Sequence, residues 1–148
     1  MTMALIEHIH LSQAARDQLM KLKRRTGITQ WNTLCRWGFC VSLAESSPPT
    51  MIKIPSDSNV EMTWRTFGGE HADVYLALLK ERCRADGLPL TEEELRSQFR
   101  LHLHRGISYL AGQRSIKTVG HLFREVAFRH RDQQEDLGDG GSVNSSES

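Results

Sequence analysis

Residues 31–45, WNTLCRWGFCVSLAE, constrain the fold more than any other stretch of the chain. Placed on a helix, Trp31, Leu34, Cys35, Trp37, Phe39, Val41 and Leu43 point in nearly every direction around its axis. A helix that is apolar all round has to be buried on all sides. The pattern therefore predicts a central helix and, in a chain of 148 residues, a subunit interface as well as a core. The helix starts at Thr29 or Gln30, and the run SSPPT ends it, because Pro48 and Pro49 cannot continue a helix.

What precedes this helix is ordered. Residues 4–11 read as a short strand, with Leu5, Ile9 and Leu11 on one face (Glu7 interrupting) and Ile6, His8 and His10 on the other. Ser12 is a good N-cap for a helix to about Thr26, in which Ala15, Leu19, Leu22 and Thr26 share one face. Gly27 stands where a helix C-terminus expects glycine. Strand, capped helix, turn and helix is the order of a ribbon-helix-helix unit, in which strands of two chains pair. A single strand has no hydrogen-bond partner of its own, so the pattern predicts at least a dimer.

Residues 50–69 read as extended or looped, closed by a turn at Gly68 and Gly69. A helix over about 70–85 carries Ala72, Tyr75, Leu76, Leu79 and Cys83 on its apolar face. Thr91 and Glu94 form a capping-box pattern before a helix to about Leu110 that buries Leu95, Phe99, Leu103 and Ile107. A last helix is expected over about 115–130, with Val119, Leu122, Phe123, Val126 and Ala127. The expected fold class is mostly α: a short N-terminal strand and about five helices, ribbon-helix-helix-like and oligomeric. One domain covers 1–131, and an acidic tail rich in Gly and Ser, 132–148, is expected to be disordered.

Charge divides along the same line. All 19 basic residues and 13 of the 18 acidic ones precede residue 132, so the body carries +6 and the tail −5. A basic body suggests an anionic partner. The densest cluster is Lys21-Leu22-Lys23-Arg24-Arg25, with Arg16 a turn or so earlier and Arg36 on the next helix; no acid lies between Gln18 and Gln30. Such a cluster attracts phosphate and releases counterions on binding it. A solvated helix end, its cations favoured by the helix dipole, is the other reading, and the absence of compensating acids tips the balance toward binding.

Other chemistry finds little support. Cys35, Cys40 and Cys83 have no CxxC spacing and read as reduced, mostly buried thiols. His8 and His10 share a strand face but lack a third ligand. His102 and His104 point about 200° apart on a helix, and read as interface or surface groups beside Arg100 and Arg105. Glu92, Glu93 and Glu94 sit in a helix's first turn, where acids serve the positive helix end. HExxH, GxSxG and GxxxxGK[ST] are absent. No catalytic residue, metal or cofactor is expected. The N-terminal residues lack the pattern of a secretion signal and no apolar run spans a bilayer, so a cytoplasmic location is expected.

Several blocks, in order over about 5–112, resemble the DndE family of the bacterial DNA phosphorothioation machinery: LKRRTGI (22–28), WNTLCRWGFCVSLAE (31–45), IPSDSNVEMTWRTFGGE (54–70), YLALLKERC (75–83), DGLPL (86–90) and FRLHLHRGISYLAG (99–112). The resemblance implies a protein similar to ribbon-helix-helix proteins in its first half, assembled as a homotetramer. It implies binding of duplex DNA, nicked DNA preferred, through a basic surface. The implied partners are the sulfur-transfer components: a cysteine desulfurase, an iron–sulfur protein and an ATPase, which replace a non-bridging phosphate oxygen by sulfur. This chain would hold the DNA. The residues expected to bind it are Lys21, Lys23, Arg24 and Arg25, with Arg16 and Arg36 secondary, all electrostatic in role. The leading alternative is a ribbon-helix-helix repressor reading bases with Ile6, His8 and His10. A nicking enzyme and an assembly subunit that touches only protein are weaker alternatives.

Overall fold

A computed structural model describes residues 7–112. The order is β1 (His8–His10), α1 (Gln13–Thr26), α2 (Trp31–Ala44), β2 (Glu61–Thr63), α3 (Trp64–Gly68), a 3-10 turn (Gly69–His71), α4 (Ala72–Ala85) and α5 (Glu92–Gly112). The expected helix at 115–130 and the acidic tail lie outside the described residues.

The local signals did what their chemistry suggests. The Ser12 side chain accepts a hydrogen bond from the Ala15 amide and opens α1; Gly27, at φ 76°, closes it in the left-handed region that glycine enters without strain. The Glu94 amide donates to Thr91 Oγ1 at 3.2 Å, so the capping residue expected for α5 is in place.

Two expectations need correction. Residues 50–69 are not all extended or looped: besides the strand β2 they contain the short helix α3. And β1 is not a lone strand. It pairs antiparallel with β2 of the same chain, His8 opposite Thr63, Ile9 opposite Met62 and His10 opposite Glu61. The ribbon is lengthened by Trp64 N–H to Glu7 O, Leu11 N–H to Val60 O and Ser58 N–H to Leu11 O. The need for a partner strand, which carried the argument for a dimer, is met within the chain.

No residue of α2 is exposed, and its cover is intramolecular: α2 packs mainly on α5, with α1, α3 and α4 around it. The α2–α5 crossing is closed by two glycines. A Cβ added at Gly106 would lie 1.6 Å from the Gly38 carbonyl oxygen, and one at Gly38 would lie 2.9 Å from the Ile107 amide nitrogen. Interior glycine costs a helix about 1 kcal/mol, and here the return is close backbone approach. Around this crossing, Phe39, Phe67 and Phe99 meet edge-on or tilted at centroid distances of 5.1–5.7 Å, and Trp64 joins them 5.1 Å from Phe99.

Candidate nucleic-acid interface

Helix α1 turns Ala15, Leu19 and Leu22 into the core, which forces the residues between them outward. Its last turn holds Lys23, Arg24 and Arg25, where the helix dipole favours cations. The six expected cations do not share one fate. Lys21 and Arg24, three apart and so neighbours on the helix surface, are exposed and have no partner among the described residues. Lys23 is half-buried, its Nζ 3.8 Å from the centroid of the Trp31 ring. Arg25 donates through an NH1 proton to Ala111 O at 3.0 Å, which ties the end of α1 to α5. Arg36 lies on α2 and donates to the Phe67 carbonyl. Arg16 is half-buried beside Asp17 at 3.7 Å, a pair of little energetic weight. The cluster thus contracts to Lys21 and Arg24, with Lys23 beside them and Arg16, Arg25 and Arg36 engaged with the protein.

Three further arginines sit inside the scaffold, where sequence reading assigned them no role. Arg82 of α4 donates to Leu43 O, Glu45 O, Ser46 O and Ser47 O and pairs with Asp86 at 3.0 Å. Arg105 of α5 donates to Ser42 Oγ, Ser42 O and Ser47 O. Arg100 donates to His10 O and Ile54 O. Helix α2 has no basic residue in its last turn, so Arg82 and Arg105 satisfy its terminal carbonyls from other elements. Together the three clasp residues 42–55 against α4 and α5. Burial lowers the pKa of Arg100 and Arg105, and for Arg105 the neighbouring Arg82 adds to it.

Of the histidines on α5, His102 is interior rather than a surface group and His104 is half-buried. His102 is 0% exposed, and its Nδ1 lies 2.8 Å from Ser42 Oγ. Burial first, then the charges of Arg105 and Arg82, push its pKa down to about 4. A serine beside a histidine invites comparison with a nucleophile and its base. Here Ser42 is also 0% exposed and its Oγ accepts from Arg105 Nε at 2.8 Å, so the pair is a buried strut. His104 accepts from the Ser12 amide at Nε2 (3.2 Å) and donates from Nδ1 to Arg100 O (2.8 Å). Both partners fit the neutral ring, whose pKa burial pushes to about 4.

On the strand face, His8 pairs with Glu61 at 3.3 Å, and His10 is bonded to the Ser58 carbonyl. Cys35, Cys40 and Cys83 are free; burial pushes Cys35 to about 12 and Cys83 to about 11, far from thiolate chemistry. Among the described residues no group of three or more His, Cys, Asp or Glu could hold a metal ion. None of their helices is long and apolar enough to cross a membrane.

No curated protein matches the chain. Among solved structures, DndE from Escherichia coli B7A, involved in DNA phosphorothioation modification, is similar with a TM-score of 0.60 and 26% identity, over 70% of this chain and 95% of that one. A DndE glycine-to-lysine mutant involved in DNA phosphorothioation is similar with a TM-score of 0.55 and 26% identity over the same shares. The family model for DndE, DNA sulphur modification protein, matches residues 8–118. That match spans β1 through α5, and the chain belongs to the DndE family.

Proposed function

We propose that this chain is a non-catalytic subunit of the DNA phosphorothioation machinery that holds duplex DNA for the sulfur-transfer components. The observation that carries the reading is the exposed pair Lys21 and Arg24 at the end of α1, on a helix fixed to the core by its opposite face. Cations so placed bind phosphates, which position DNA without reading its sequence. Lys23 adds charge beside them. Arg16, Arg25 and Arg36 serve DNA less directly, through the long-range field.

The chain works as a homotetramer in this reading, so the basic end is repeated and one duplex meets several copies. Exposed Val74 and Leu78, one turn apart on the outer side of α4, offer an apolar contact between copies that the covered α2 does not. A nick lowers the cost of bending a duplex over such a surface, which supports a preference for nicked DNA. The repressor reading has less to rest on. Its strand face is occupied by the His8–Glu61 pair and the bond from His10 to Ser58.

The test is an anisotropy titration, with oligomeric mass measured in parallel, against matched intact, nicked and single-stranded DNA over a salt series. The expected result is tightest binding to nicked duplex, indifference to sequence and a steep salt dependence. Absence of DNA binding at low salt would sink the reading and move the basic end to a protein partner.

A further inference from the structure

The clasped segment 42–55 does not lie flat on α5. Between its residues 49–54 and the last three turns of the helix is an open cavity of about 520 Å3, within the range of small-molecule sites. Ile52, Ile54 and Leu101 give it apolar walls, and Tyr109 an aromatic one. Thr50 and Ser108 bring hydroxyls that have no partner among the described residues. Arg105, held rigid by Ser42 and Ser47, brings a fixed positive charge. His104 also lines it, but with both ring nitrogens engaged it serves as wall. No acidic residue is among those lining the cavity.

Across Ile52 and Ile54 lies a second hollow, of about 240 Å3, whose other wall is α1 through Ala14 and Gln18. Lys53 lines it and is exposed. Gln18 is three residues before Lys21, so Lys53 and Lys21 flank the same stretch of surface. An apolar, aromatic-edged cavity with free hydroxyls and no acid lies beside a hollow lined by the cation Lys53. An aromatic wall and hydrogen-bonding groups suit a flat heterocycle, and Lys53 suits the phosphate attached to it.

We propose that the cavity between residues 49–54 and α5 receives an unpaired nucleobase of the bound DNA, with Lys53 on the adjoining phosphate. The proposal rests on the DNA-holding reading and deepens it: Lys21 and Arg24 hold the duplex, and the cavity senses where a base is free to leave the stack. A strand end at a nick and a single-stranded stretch both supply such a base.

The test uses the full chain and duplexes with 5-iodouracil at the strand end of a nick, in a single-stranded overhang, or in the middle of intact duplex. Irradiation followed by peptide mapping is expected to place the crosslink within residues 101–112, at Tyr109, for the nick or overhang probes and not for the intact one. Which of the two crosslinks identifies the source of the base. Ser108→Phe, which fills the cavity from an exposed position, is expected to lower the preference for unpaired over intact DNA about five-fold, the order of one lost base–aromatic contact, with affinity for intact duplex unchanged. Tyr109→Ala gives the same readout should Ser108→Phe fail to fold. DNA bound with crosslinks confined to α1, or an unchanged preference in the folded variants, overturns this proposal and leaves the DNA-holding reading standing. No DNA bound by the wild-type chain overturns both.

Discussion

The end of α1 and the middle of α5 carry the same charge and put it to opposite uses. Lys21 and Arg24 reach into water. Arg100 and Arg105, with Arg82 of α4, turn inward and spend their donors on carbonyls of residues 10 and 42–55. A guanidinium that satisfies helix-terminal and loop carbonyls is part of the scaffold, and its loss leaves the part-buried acceptors among them, Leu43 O and Glu45 O, without that donor. An ammonium or guanidinium in solvent contributes almost nothing to folding and is free to meet a phosphate. Counting basic residues therefore overstates the exposed positive surface of this chain.

Substitutions can break that contrast. The largest effect is expected at the crossing on which the inner arginines depend. Gly106→Ala drives a methyl group into the Gly38 carbonyl and should cost about 4 kcal/mol or more, so that little folded protein is recovered; a normal urea midpoint would show that α2 and α5 can separate cheaply. Acid comes next. His102 and His104 titrate at about 4 in the folded chain and near 6.5 when unfolded. Between those values only the unfolded chain takes up the protons. Stability should therefore be flat in these groups above pH 6.5 and fall as pH drops towards 4, by roughly 3 kcal/mol for each histidine. A urea midpoint constant from pH 7 to pH 4.5 would contradict it.

Arg82→Met removes the clasp on four carbonyls and should cost about 3 kcal/mol by chemical denaturation, with DNA affinity unchanged. Weakened DNA binding in a folded Arg82→Met would erase the distinction between the two groups of cations. The smallest change in stability, within about 0.5 kcal/mol, is expected for Lys21→Ala combined with Arg24→Ala. That double variant should still lose DNA affinity, and the slope of log affinity against log salt should shrink by about 2, one for each phosphate contact. A slope that stays put places the DNA elsewhere.

How much of this was legible depended on distance along the chain. Caps at Ser12, Gly27 and Thr91 act within a few residues and could be read from neighbours. So could the burial of α2, whose apolar residues declare it without naming the cover. The cover, mainly α5, lies some 60 residues on and could not be read, nor could the partner of β1: β2 is three residues long, and the pairing joins His8 to Thr63. Gly38 and Gly106 each sit inside a helical pattern, and an interior glycine in a helix was a signal of close approach left unused. For the cations, sequence supplies charge but not the destination of a long side chain. Lys21 and Arg24 are exposed, while Arg25 and Arg36 had carbonyls waiting across the fold.

The strut between Ser42 and His102 spans 60 positions of sequence. At a translation rate of about 5–20 residues per second, α2 leaves the ribosome roughly 3–12 s before the segment that shelters it. For that interval the face of α2 that packs on α5 lacks its native cover. The nascent chain thus passes through a vulnerable window in which chaperone binding or aggregation competes with folding, and its yield in the cell should follow synthesis speed as much as final stability.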